Sequence, residues 1–186
     1  MTEVIDFIFQ RRSIRNYSDQ TVEPEKIELL LKAAMAAPSA ANSQPWEFVV
    51  VTENEIMDRL RERLLFGRYN APVAIAVCGS PKVASNPAGK KFWIQDCSAA
   101  IENILIAAVG LGLGTVWIGV YPIEPTERSV RQVLNIPEDV TPLGIIYVGY
   151  PAETKEARTR FNERLVHWQQ YEPRMQRAKQ KNAKNQ

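Results

Sequence analysis

Hydrophobic and polar positions change period several times along this chain. Val4, Ile5, Ile8 and Phe9 share one helical face, and the pattern stops at Arg11-Arg-Ser-Ile-Arg15. Pro24 suits a first helical turn, and Ile27, Leu30, Leu31, Ala34 and Met35 follow at helical spacing until Pro38 ends the run. Trp46 to Val51 reads as a short strand. Thr52 and Glu55 then form a capping-box pair that opens a charged helix to about Leu65. Val73 to Val77 is a second strand, punctuated by Pro72 before it and Gly79-Ser-Pro81 after it.

From about Lys91 to Val109 a long helix carries only Asp96 and Glu102 as charges beyond its first turn, with Ser98, Ala99, Ala100, Ala107 and Ala108 among its small residues. A helix apolar on nearly every side is buried, either in a core or against a second subunit. Gly110-Leu-Gly-Leu-Gly114 ends it and Thr115 to Tyr121 is a third strand. Pro125 begins a short helix that closes near Leu134, and Leu143 to Val148 is the fourth strand. Beyond Pro151 the alternation stops. A polar arm succeeds it, with Phe161, Leu165, Trp168 and Tyr171 spaced as anchors, and its length suits wrapping a neighbour rather than folding alone.

Composition narrows the picture. At 186 residues, 45% hydrophobic and 24% charged, the chain supports one full core, so residues 1–172 are expected to form a single domain. A formal net charge of +2 is too balanced for nucleic acid as the main partner. Five of the cations, Arg174, Arg177, Lys179, Lys181 and Lys184, sit in a tail without acid, and the remaining 18 basic against 21 acidic residues leave the body at −3. That tail, 173–186, is expected to be solvated and frayed. Cys78 and Cys97 form no CxxC pair, and His167 is the single histidine, which argues against a structural zinc site and for reduced thiols. No secretory signal opens the chain, and the longest apolar run, Ile104 to Ile118, falls short of a membrane span, so a cytoplasmic protein without a membrane partner is expected.

Four segments invite chemistry. In an extended conformation Arg11, Ser13 and Arg15 project to one side, a donor set suited to a phosphate or planar anion, or simply a solvated basic turn. Ala37-Pro-Ser-Ala-Ala-Asn-Ser-Gln-Pro-Trp46 is a loop of small residues and amides that suits a flat heterocycle, or an ordinary helix-to-strand connection. The glycines at 110, 112 and 114 follow a helix and open a strand, the reverse of a dinucleotide fingerprint, so Gly110 or Gly112 reads as a helix C-cap. Arg158 and Arg160 repeat the alternate spacing of the first cluster, either to meet a phosphate or as a solvated arm. His167 has no GxSxG or cysteine motif to serve and reads as a partly packed anchor. Without metal clusters or acid-base signatures, the chemistry points to a bound organic cofactor.

Together, Arg-Arg-Ser-Ile-Arg-Asn-Tyr at 11–17, Pro-Ser-Ala-Ala-Asn-Ser-Gln-Pro-Trp-Glu-Phe-Val-Val-Val at 38–51, the helix-glycine-strand unit from Asp96 to Pro122, and Gly-Ile-Ile-Tyr-Val-Gly-Tyr-Pro followed by an arginine-bearing arm resemble the FMN-dependent nitroreductase family over about residues 3–170. The resemblance implies an α+β fold of three layers, α/β/α, around a mixed, mostly antiparallel sheet. It further implies an intertwined homodimer with the C-terminal arm wrapping the partner, and FMN at the interface. Arg11, Arg12, Ser13 and Arg15 would hold the phosphate and the pyrimidine side of the flavin, joined at the phosphate by Arg158 and Arg160. Pro38, Ser39 and Ala40 would approach the ring from the partner subunit, with Asn42 nearby. The backbone of Ile118, Gly119 and Val120 would face the ring, with one amide towards N5, and no side chain acts as catalyst. The local order Trp117-Ile-Gly-Val-Tyr121 lacks the Glu that many larger members carry before that glycine. The implied activity is a ping-pong oxidoreductase: NAD(P)H as donor, and nitroaromatics, quinones or similar electron-poor small molecules as acceptors. Storage or delivery of FMN without turnover stays open as an alternative, as do dehalogenation, dehydrogenation and ring fragmentation.

Overall fold

In the computed structural model, residues 3–64 and 66–171 are described. The element order is α1 (Glu3–Gln10), α2 (Pro24–Met35), β1 (Trp46–Val51), α3 (Asn54–Arg63), β2 (Val73–Gly79), α4 (Gly89–Gly110), β3 (Gly114–Gly119), α5 (Glu124–Leu134) and β4 (Thr141–Gly149), with single 3-10 turns at Ala40–Asn42 and Glu163–Leu165. The frayed tail expected at 173–186 lies outside the described residues.

The four strands form one sheet in the order β1-β2-β4-β3, and every neighbouring pair is antiparallel. Among the described residues the expected parallel component is one isolated bridge between Ser13 and Thr115, at the outer edge of β3. Strand side chains alternate faces. Val73, Ile75 and Val77 of β2 therefore join Leu30, Ala34, Ala100, Ile101 and Ile104 beneath α2 and α4. Ala74, Ala76 and Cys78 join Met57, Leu60, Val130 and Val133 beneath α3 and α5. Both faces of the sheet are thus covered, giving three layers. Each fully buried Leu or Ile contributes about 1.5–3 kcal/mol.

Both ends of the helix-glycine-strand unit depend on register. Val77 pairs with Gly144 and Cys78 with Pro142, so Leu143 is an extra residue, a bulge in β4. The inserted residue shifts the alternation: Ile145 and Tyr147 face α3 and α5, whereas Leu143 lies with the α2 and α4 layer. At the other end of the unit, α4 closes on Leu111 and Gly112, whose φ of 71° is left-handed. The Leu113 amide donates to the Ala108 carbonyl at 2.8 Å and the Gly112 amide to the Val109 carbonyl at 3.1 Å, so Gly112 makes the predicted C-cap.

The capping box expected at Thr52 and Glu55 does not form. β1 stays paired through Val51, the helix begins at Asn54, and its N-cap is Glu53 with no side-chain cap bond. The helix also closes at Arg63, before the expected Leu65. α4 is long and apolar enough to cross a membrane by length and composition. Cys97, Ala100, Ile101, Ile104, Leu105 and Ala108 nevertheless put one of its faces in the core. Cys78 and Cys97 belong to opposite faces of the sheet, and the Cys97 thiol donates to the Cys78 carbonyl at 3.6 Å.

Candidate functional site

The basic N-terminal segment is laid down between two neighbours. On one side the Ile14 amide donates to the Thr115 carbonyl at 2.9 Å. The Ile14 side chain is buried against Gly114, where an added Cβ would come within 2.8 Å of it. On the other side Tyr17 bridges Pro151, the Ser18 amide donates to the Tyr150 carbonyl, and the Ala152 amide to the Asn16 carbonyl, each of the latter two at 2.9 Å. The Asn70 side chain accepts from the Tyr17 amide at 3.0 Å and donates to its carbonyl at 2.7 Å, imitating a strand partner. Further along the arm, the Arg158 amide donates to the Phe9 carbonyl at 3.2 Å.

This zipping brings together cations that lie some 145 residues apart in sequence. A cavity of about 670 Å³ is lined by Arg11, Arg12, Ser13, Arg15, Lys155, Arg158 and Arg160, with Ile8, Phe9 and Thr159 completing the wall. Among the described residues no carboxylate lines it. Arg11 is partly balanced from outside by Glu102 at 3.4 Å. Arg12 carries the cost of the arrangement: burial first, then the charges of Arg158, Arg160 and Arg11, hold its guanidinium below the usual arginine range. Its Nε is buried without a hydrogen-bond partner. An orphaned donor within a ring of cations fits a phosphate monoester, which brings about two negative charges and three acceptor oxygens. Ser13 and Arg15 complete the donor set that the alternate spacing predicts. Arg12, on the opposite phase of that alternation, lines the same cavity.

The third strand sets the other end of the site. The Thr115 carbonyl faces Ile14, away from β4, while the Val120 amide donates to the Leu143 carbonyl at 3.1 Å. Backbone polar groups alternate sides along a strand. The Val120 amide is therefore spent, and the Gly119 amide lies on the open edge. Space at Gly119 is free, since an added Cβ would meet nothing within 4 Å. Ile118 buries its side chain in the core against Gly67. Gly119 lies four residue steps along the strand from Thr115, which is bridged to Ser13, or about 13 Å. Such an edge is long enough for a ligand with a phosphate at one end and a flat ring at the other.

Pro38, Ser39, Ala40 and Asn42 are elsewhere. None of them lines the cationic cavity. Their loop is tied to α4 at the buried Asp96, 5% exposed, which accepts from the Ala40 amide at 2.9 Å and the Ser43 hydroxyl at 3.0 Å. The Ser39 hydroxyl accepts from the Gln44 amide at 3.0 Å, and the Asn42 side chain accepts from the Gln44 side chain at 3.1 Å. Ala41, Asn42 and Gln44 all have φ near +50°, a strained run held by these bonds and by Asn86, which donates to the Ala41 carbonyl at 2.8 Å. Arg12 shares a smaller cavity with Val109. From Asp96 to Val109 is thirteen residues of helix, about 20 Å. Within one chain the loop is tied to α4 at Asp96, whereas Arg11 of the cradle pairs with Glu102 and Arg12 lies beside Val109.

Sequence reasoning missed Lys155, Glu153 and Asn70. Lys155 stands three residues before Arg158 and breaks the alternate spacing used to find the arginines. Asn70 and Glu153 act on backbone groups, which no side-chain motif records. The arm anchors are exposed in the single chain, Phe161 at 76%, Trp168 at 77% and Tyr171 at 74%. The half-buried His167 stacks on Tyr171 with ring centroids 4.5 Å apart.

Known proteins share both the sequence and the fold. The model of the Nitroreductase family matches residues 8–67 and 64–150. A provisionally named NADH dehydrogenase/NAD(P)H nitroreductase of Archaeoglobus fulgidus is 47% identical, covering 90% of this chain and 98% of that one. The solved FMN-dependent nitroreductase of Clostridium difficile R20291 superposes with a TM-score of 0.82 at 34% identity, covering 90% of this chain and 99% of that one. The iodotyrosine deiodinase 1 of Sus scrofa is 42% identical over 180 residues, 81% of this chain and 62% of that one.

Proposed function

The chain belongs to the nitroreductase family, and from that premise we propose that it reduces nitroaromatics, quinones or similar electron-poor small molecules in a ping-pong cycle, as a homodimer with FMN between its subunits. It is an FMN-dependent NAD(P)H oxidoreductase. The observation that carries the assignment of residues is the cavity in which Arg11, Arg12, Ser13, Arg15, Arg158 and Arg160 meet around an orphaned donor.

FMN, when bound, supplies hydride acceptance from NAD(P)H and two-electron delivery to the acceptor at ring N5. The chain's part is positional and electrostatic. Arg12, Ser13, Arg158 and Arg160 hold the phosphate through charge-assisted bonds of roughly 1.5–3 kcal/mol each. Arg15 would hold the pyrimidine edge, where its fixed positive charge would favour negative charge on the ring. The Gly119 amide, left on the edge of β3, would be the donor offered to N5. No side chain is needed as general acid when solvent delivers the proton.

Pro38, Ser39 and Ala40 close the ring from the partner subunit, with Asn42 nearby. Their separation from the cradle within one chain favours a site completed by a second copy. The arm with exposed Phe161, Trp168 and Tyr171 covers that copy.

A yellow preparation whose flavin absorbance bleaches on adding NADH or NADPH and recovers only when a nitroaromatic or quinone is supplied supports this reading. Bleaching without acceptor-dependent recovery assigns FMN storage or delivery instead. Likeness to a deiodinase favours a second reading on the same site, reductive dehalogenation, and recovery driven by a halogenated phenol with halide release selects it.

A further inference from the structure

We propose that Glu153 and Lys155 are positioning residues that clip the arm to the N-terminal segment and thereby set the shape of the phosphate cradle. The inference rests on the FMN reading above. Glu153 Oε1 accepts from three donors: the Arg15 amide at 2.5 Å, the Asn16 amide at 3.2 Å and Lys155 Nζ at 3.0 Å. Lys155 Nζ also donates to the Ser13 carbonyl at 2.6 Å. Two residues of the arm therefore grip Ser13, Arg15 and Asn16 of the basic segment through its backbone, leaving the side chains of Ser13 and Arg15 free for a ligand.

Placement separates the two roles. Lys155 lines the cationic cavity and Glu153 does not, so Glu153 acts through the groups it holds. The same clip fixes where the arm leaves Pro151, and five residues after Glu153 the arm delivers Arg158 and then Arg160 to the cavity. The bonds from the Arg15 amide and from Lys155 hold the Glu153 carboxyl below its usual range, so it is ionised at neutral pH.

The sign of one substitution distinguishes positioning from charge. Glu153→Gln removes a negative charge beside a cationic cavity, so charge alone predicts tighter binding of an anion. Positioning predicts weaker binding, because an amide oxygen accepts the three bonds without the carboxylate's charge, so each weakens and the cradle loosens. The test is titration of the apoprotein with FMN and with riboflavin, which lacks the phosphate, followed by quenching of flavin fluorescence. The expected result is FMN affinity about tenfold weaker in Glu153→Gln, with a smaller loss for riboflavin. Glu153→Asp, which keeps the charge but is one methylene too short to span the donors, is expected to lose FMN affinity as well, and it serves if the glutamine variant does not fold. Unchanged or tighter FMN binding in these variants overturns the proposal, as does an equal loss for both flavins. If the wild-type apoprotein binds neither flavin, the FMN reading itself fails, whatever the variants do.

Discussion

The Val120 amide donates to the Leu143 carbonyl at 3.1 Å, and Leu143 is the bulged residue of β4. That bond fixes which amide of the third strand remains on the open edge, and it selects Gly119. Gly119→Ala tests the consequence. Nothing lies within 4 Å of the added Cβ, so the fold is expected to tolerate it within about 1 kcal/mol. The methyl group intrudes between strand edge and ring, so FMN affinity and turnover are expected to drop by tenfold or more. A thermal melt and a flavin titration on the same preparation check both halves.

Arg12 is expected to weaken the apoprotein and strengthen the complex. In Arg12→Gln the repulsion from Arg11, Arg158 and Arg160 is relieved, so the apoprotein should melt at the same temperature or higher. FMN binding should weaken ten- to hundredfold, the value of one charge-assisted bond. A lower apoprotein melting temperature with unchanged FMN affinity would show Arg12 to be structural.

Asp96→Asn removes the charge that anchors the Ala40 amide and the Ser43 hydroxyl. Losing those charge-assisted bonds costs about 1–3 kcal/mol. For a chain of this length that lowers Tm by about 2–4 °C per kcal/mol. The loop it holds reaches the partner's flavin in the proposed dimer, so FMN affinity should fall together with Tm, and addition of FMN should recover part of the loss.

Burial pushes the thiols of Cys78 and Cys97 up to about 12. Both should therefore resist a thiol reagent at pH 8 in the folded protein and react on unfolding. The unfolded thiol ionises near pH 8.5. A group whose folded value is raised contributes stability that is full below the unfolded value and lost as pH climbs through the folded one. Stability should accordingly decline between about pH 9 and 12, and replacing both cysteines by alanine should flatten that decline in chemical denaturation at each pH.

The arm is expected to be stable only against a second copy. Phe161, Trp168 and Tyr171 expose most of their surface in the single chain. Replacing Phe161 and Trp168 by alanine should weaken self-association in sedimentation and lower FMN retention with it. A variant that stays dimeric at wild-type concentrations would remove the arm from the interface.

Local signals were strong enough for sequence alone to determine much of this protein. The bounds of β1 and the starts of α2 and β2 were legible because proline, glycine and apolar periodicity act within a few residues of where they stand. The arginines that line the cationic cavity were legible as two clusters, and their family resemblance joined them. Only the tertiary structure decided how they meet. The antiparallel docking of 150–158 on 9–18 brings Lys155 into the cavity and places Glu153 behind it, through bonds to backbone groups that leave no trace in residue type. The register of β3 against β4 likewise decides between Gly119 and Val120. A strand's outward amide depends on register with a partner some 25 residues away, and hydrophobic alternation along one strand carries no information about that count.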